Sequence, residues 1–120
     1  MNASRVFHVD SKKIISIVLW LNLFFFASLT HAEDVSINIT IQDHRFYPSV
    51  SKIPAGVAFN IVFINADKTP EDLVSESMFF EQAVAGGSRQ AVQVAPLKGG
   101  SYNFFGKLSR DTAQGTIIVE

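Results

Sequence analysis

The sequence predicts a small all-β sandwich or barrel behind an N-terminal export leader. Three observations carry that expectation. Apolar runs with period-two alternation recur about every ten residues beyond residue 34. Breaks rich in glycine and proline separate them, at Pro54-Ala55-Gly56, Gly86-Gly87 and Gly99-Gly100. No stretch there sustains a helical period, and the chain has no internal repeats or low-complexity tracts.

The leader occupies residues 1–32. Arg5, Lys12 and Lys13 make a positive start, and Ile14 to Leu29 is apolar apart from Ser16, Asn22 and Ser28. Thr30-His31-Ala32 then places small residues at the −3 and −1 positions of a signal-peptidase site. A helical signal peptide cut after Ala32 is expected, with delivery to the periplasm. The apolar run, about 16 residues, is shorter than the roughly 20 that span hydrocarbon. No membrane insertion is therefore expected after cleavage; an uncleaved anchor is the alternative.

Residues 33–120 make one domain at most. They hold seven basic and ten acidic side chains, a formal charge of −3, which argues against a nucleic-acid partner. His44 and Met78 are the only histidine and methionine beyond the leader, and the chain has no cysteine. Thiolate nucleophiles, zinc–thiolate sites and iron–sulfur clusters are thereby excluded. Disulfides cannot help a small exported fold here, so the seven phenylalanines and two tyrosines must fill its core.

Each element follows from its pattern. Val35, Ile37, Ile39 and Ile41 alternate with Ser36, Asn38 and Thr40, a half-buried first strand. Asp43-His44-Arg45 breaks it, and Phe46-Tyr47-Pro48 returns to extended chain. After the turn at Pro54-Ala55-Gly56, Val57, Phe59, Ile61 and Phe63 alternate with Ala58, Asn60 and Val62, a strand covered on both faces. Asn65 to Ser77, acidic and containing Pro70, reads as a long loop, and Met78-Phe79-Phe80 as a short apolar patch. Strands are expected at Gln90 to Val94, Ser101 to Phe105 and Thr116 to Val119, with a loop from Gly106 to Gly115.

Five segments in this order resemble the EfeO-type cupredoxin-like domains. They are Asp43 to Pro48, Ile53-Pro54-Ala55-Gly56, Asn65 to Pro70, Leu97 to Phe105, and Gly115 to Glu120. The resemblance implies a Greek-key β-sandwich of seven or eight strands, with any copper held between loops at one end. A blue-copper centre needs two imidazoles, a thiolate and usually an axial methionine. The corresponding positions hold Glu71, Gly106, Ser109 and Ala113, so a blue-copper electron-transfer role is excluded. Thr69 to Leu73, Ser75-Glu76, Glu81, Phe104-Phe105-Gly106 and Asp111 to Gly115 are similar to a cysteine-free subgroup found beside bacterial periplasmic iron transport. That likeness implies iron or copper handling through oxygen ligands, with a membrane iron permease or periplasmic metal carrier as partner. Lys107 and Ser109-Arg110 depart from the subgroup's acidic residue and His-Pro pair, and the added positive charge repels cations.

Glu71, Glu76 and Asp111 are the candidate metal ligands, with Asp72 beside them, because carboxylates suit hard ions. A solvated acidic loop is the alternative. A single histidine, His44, makes no strong site alone, and Met78 at a strand-like position reads as core. Ser75 and Ser109 lack a histidine base nearby in sequence, so His44 would have to serve from another region; no catalytic constellation emerges, and the chain is not expected to be an enzyme. The expected function is an accessory of iron or metal uptake that binds metal weakly or not at all. The alternative is an interaction module whose copper-free end contacts a partner through Phe79, Phe80, Lys107 and Arg110.

Overall fold

An alternating segment becomes a strand where one of its faces has a core to meet. The computed structural model describes residues 35–120, and nine strands form there. They are β1 (Val35–Gln42), β2 (Arg45–Tyr47), β3 (Val50–Ile53), β4 (Phe59–Asn65), β5 (Glu71–Ser75), β6 (Phe80–Val84), β7 (Arg89–Val94), β8 (Gly100–Gly106) and β9 (Gln114–Val119). The signal peptide expected over residues 1–32 lies outside the described residues. One sheet has the order β2-β1-β4-β7 and the other β3-β9-β8-β5-β6. The chain changes sheet five times, the Greek-key habit expected of this sandwich.

The inward faces explain the register. Parallel pairing of β1 with β4 sets Ile37 beside Ile61 and Ile39 beside Phe63. Across the gap stand Leu73, Val84, Phe104, Ile117 and Val119, all nearly or wholly buried. At the centre the Phe46 and Phe104 rings lie 5.0 Å apart, and Phe63 meets Phe104 edge-on at 5.8 Å. Gly115 permits this arrangement, because a Cβ there would fall 2.1 Å from Cζ of Phe104.

Nine strands exceed the seven or eight expected, and the loop predicted from Asn65 to Ser77 is partly wrong. Its second half is β5. Glu71, Leu73 and Ser75 all face inward, and two polar residues among three disguised the alternation. β6 was hidden for the same reason, since Glu81 and Gln82 dilute its pattern. Four-residue β3 survives by pairing in parallel with β9.

The connections at one end are bound together by polar groups. Buried Asn65 donates through Nδ2 to the carbonyls of Thr69 (2.9 Å) and Val84 (3.3 Å). Its Oδ1 accepts from the Asp67 N–H at 3.0 Å. The Ala66 N–H donates to the Ile41 carbonyl, and the Gly87 N–H to the Asp67 carbonyl. Residues 43–44, 66–70 and 85–88 therefore share one rim. The loop after β8 joins it through the contacts below.

Candidate functional site

The rim begins with a turn that its own sequence does not favour. Asp43 and His44, joining β1 to β2, have φ of 53° and 59°. A two-residue hairpin with both residues left-handed normally takes Asn-Gly or Asp-Gly. Here Asp67 compensates from a neighbouring loop. Its Oδ1 accepts the Asp43 N–H at 2.8 Å and its Oδ2 the His44 N–H at 3.0 Å. The bond from His44, foremost, holds the Asp67 carboxyl below its ordinary pKa of 3.8, with burial opposing and the Asp43 N–H assisting.

A depressed carboxyl pKa stabilises the fold above the unfolded value, and that share disappears as pH falls through the folded value. Asp67→Asn removes one of the two acceptors, so it should destabilise the domain by about 1 kcal/mol at pH 7. The difference from the unsubstituted protein should shrink as pH drops below the carboxyl's ordinary 3.8. Urea unfolding at pH 7 and pH 3 checks this, and a constant difference at both would contradict it.

Glu71, Gly106 and Ala113 converge beneath the rim. Glu71 opens β5 with its side chain inward and only 2% exposed. Its Oε1 accepts the N–H of Asp72 at 3.0 Å and of Leu108 at 2.8 Å. Its Oε2 is buried without a hydrogen-bond partner. A Cβ on Gly106 would lie 2.7 Å from Glu71 Cδ, 2.8 Å from Oε2 and 2.8 Å from Ala113 Cβ. The carboxylate thus fills the space that any side chain at position 106 would enter. Lys107–Ser109 forms a 3-10 turn above it, tied down by the Leu108 N–H.

On the outside, Ser109 Oγ meets His44 Nδ1 at 3.2 Å, and the Thr112 hydroxyl donates to the His44 carbonyl at 2.6 Å. His44, Leu108, Ser109, Arg110, Asp111 and Thr112 line an open hollow of about 320 Å³. The Arg110 guanidinium lies 4.3 Å from the centre of the Phe105 ring.

The three carboxylates predicted to share a metal are not brought together. Glu71 points into the sandwich, Glu76 lies in the turn beyond the far end of β5, and Asp111 borders the outer hollow. Asp72 alternates to the opposite face from Glu71. No three His, Asp or Glu side chains stand grouped for a metal ion among the described residues. Period-two geometry divides the neighbours in the acidic run between two faces. Phe80 also departs from expectation: it packs against the core, 6.2 Å from Phe63, instead of facing a partner. Met78 is core as expected, although it lies in the turn after β5 and not on a strand. Phe79 and Lys107 are exposed.

Two contributors escaped the sequence reading. Exposed Leu108 gave no signal, since it sits in a loop without period. Asp67 had one: a hairpin turn of Asp-His without glycine needs an acceptor from elsewhere.

The model of the cupredoxin-like domain family matches residues 13–119. The chain belongs to the cupredoxin-like domain family. An uncharacterized protein of Rickettsia prowazekii is 33% identical to this cupredoxin-like domain protein over 117 residues, covering 91% of this chain and 94% of that one. Among solved structures it is similar to the metal-binding domain of the Cu(I)-exporting P-type ATPase CopA of Streptococcus pneumoniae D39. There the TM-score is 0.66 at 14% identity, over 76% of this chain and 91% of the other. Auracyanin A, a blue copper protein of Chloroflexus aurantiacus, has TM-score 0.65 at 14% identity, over 73% of this chain and all of the other. Identities this low establish the shared fold.

The residues of this cupredoxin-like domain do not fit a blue-copper ion. Such a centre requires a thiolate, and the sequence contains no cysteine. The Glu71 carboxylate already stands against Gly106, within contact distance of anything a side chain there would present.

Proposed function

We propose that this cupredoxin-like protein is an exported periplasmic accessory of metal uptake, iron foremost, that works by docking to a membrane permease or metal carrier. It carries no electrons and delivers no tightly bound ion. One observation supports this above the rest: Glu71 closes the ligand end from within, its Oε1 holding two backbone N–H groups and its body blocking position 106. What that end offers instead is surface. Leu108 is 63% exposed, beside exposed Lys107 and Arg110. The leader-like residues 1–32 support export, and the likeness to the cysteine-free EfeO-type subgroup supports the link to iron.

Calorimetric titration of the protein with Cu(II) and Fe(III) separates docking from ion binding. No saturable binding is expected from either ion. A stoichiometric site weakened by Glu71→Ala would restore the carboxylate reading and defeat this one. A photo-crosslinker placed at Leu108 in living cells should give one adduct, with a membrane permease or a periplasmic metal carrier.

A further inference from the structure

The turn joining β5 to β6, residues 76–79, carries a residue its geometry discourages. Phe79 has φ of 60°, the left-handed region that L side chains disfavour and glycine or asparagine usually fills. Its ring is 90% exposed, so no packing within the domain offsets the strain. The turn is nonetheless firmly built. The buried Ser75 hydroxyl donates to the Asn103 carbonyl at 2.7 Å and accepts the Met78 N–H at 3.1 Å, while Met78 is buried beneath. Residues 75–78 are thus clamped, and residue 79 must turn back to pair Phe80 with Ser75. The fold requires the left-handed conformation there, but nothing in the fold requires an aromatic ring.

The charge on the turn and on the strand that leaves it is of one sign. Pairing of Val74 with Glu81 places Glu81 on the outer face of the hairpin, one pair from the turn. Exposed Glu76 stands in the turn itself. Arg110 lines the adjoining hollow with Glu76 and is stacked on Phe105.

We propose that this tip is a docking element, with Phe79 entering an apolar pocket of a partner protein whose rim is basic. The inference rests on the docking reading above and specifies the contact. A protruding ring calls for a concave receiver. The two carboxylates beside it, Glu76 and Glu81, select Lys or Arg on the rim and oppose an anionic lipid surface. A rigidly displayed aromatic anchor loses little freedom on binding.

Three measurements on the full chain, expressed and exported in cells, decide the matter. First, Phe79→Asn should raise the Tm of the purified protein by roughly 4 °C, since asparagine accepts the conformation. A lower Tm would show that the ring serves the fold and would overturn the proposal. Second, a photo-crosslinking phenylalanine analogue at position 79 should give one adduct, mapped by mass spectrometry to an apolar segment flanked by Lys or Arg. Third, the charge-reversed Glu76→Lys/Glu81→Lys protein should lose at least tenfold of that adduct at unchanged Tm. An adduct that survives reversal, or one with lipid or a second copy of this chain, overturns the proposal. Crosslinking from position 108 without any from 79 removes the tip and leaves the docking reading intact. Silence at both positions removes both.

Discussion

Gly115→Ala is expected to destabilise this domain by about 3 kcal/mol, the upper end of ordinary overpacking. The added methyl would stand 2.1 Å from Cζ and 2.5 Å from Cε2 of Phe104. A phenylalanine at the surface would swing aside. Phe104 is fully buried and enclosed by Phe46 and Phe63, so the ring has nowhere to go without disturbing both. Total stabilities of such domains are only about 5–15 kcal/mol. For a domain of this size, Tm should fall by roughly 12–24 °C. Thermal unfolding followed by circular dichroism tests this. The loss should be much smaller when Gly115→Ala is made in a Phe104→Leu background, because the obstructing ring atoms are gone. Equal losses in both backgrounds would show that the ring contact is not the cause.

The second large effect concerns Glu71 and Gly106, which compete for one space. Gly106→Ala should destabilise by about 2 kcal/mol through its clash with the carboxylate. Glu71→Ala should also lose about 2 kcal/mol, because the N–H groups of Asp72 and Leu108 lose their acceptor. The double substitution should be less harmful than the sum, with a coupling of about 1–2 kcal/mol. Some penalty remains, since Ala113 Cβ would still stand 2.8 Å from the new methyl. Urea unfolding of the four proteins measures the coupling, and strict additivity would refute the shared space.

These expectations show where the sequence was legible. The strands with clean alternation, β1 and β4, were placed from residue pattern alone, as was the last strand, because apolar residues fill their inward positions apart from Asn65 and Gly115 at the strand ends. β5 was not, because Glu71 and Ser75 are polar residues facing inward. Each is buried for a local hydrogen-bonding reason that period-two counting does not detect. Glu71, Gly106 and Ala113 were identified as positions of lost ligands, and the fold brings those three together. Their new relation was invisible in one dimension. Nothing in a residue string says that a carboxylate fills the space beside a distant glycine.

The place of β9 within its sheet has a consequence for how the chain is made. β9 is the last of the nine strands, yet it lies between β3 and β8. β3 has no partner until it arrives, and residues 50–53 remain unpaired however long the earlier chain waits. A polypeptide emerging amino end first, from a ribosome or a translocation channel, therefore cannot close this sandwich until residue 119 is through. Late closure of that kind keeps a nascent chain threadable.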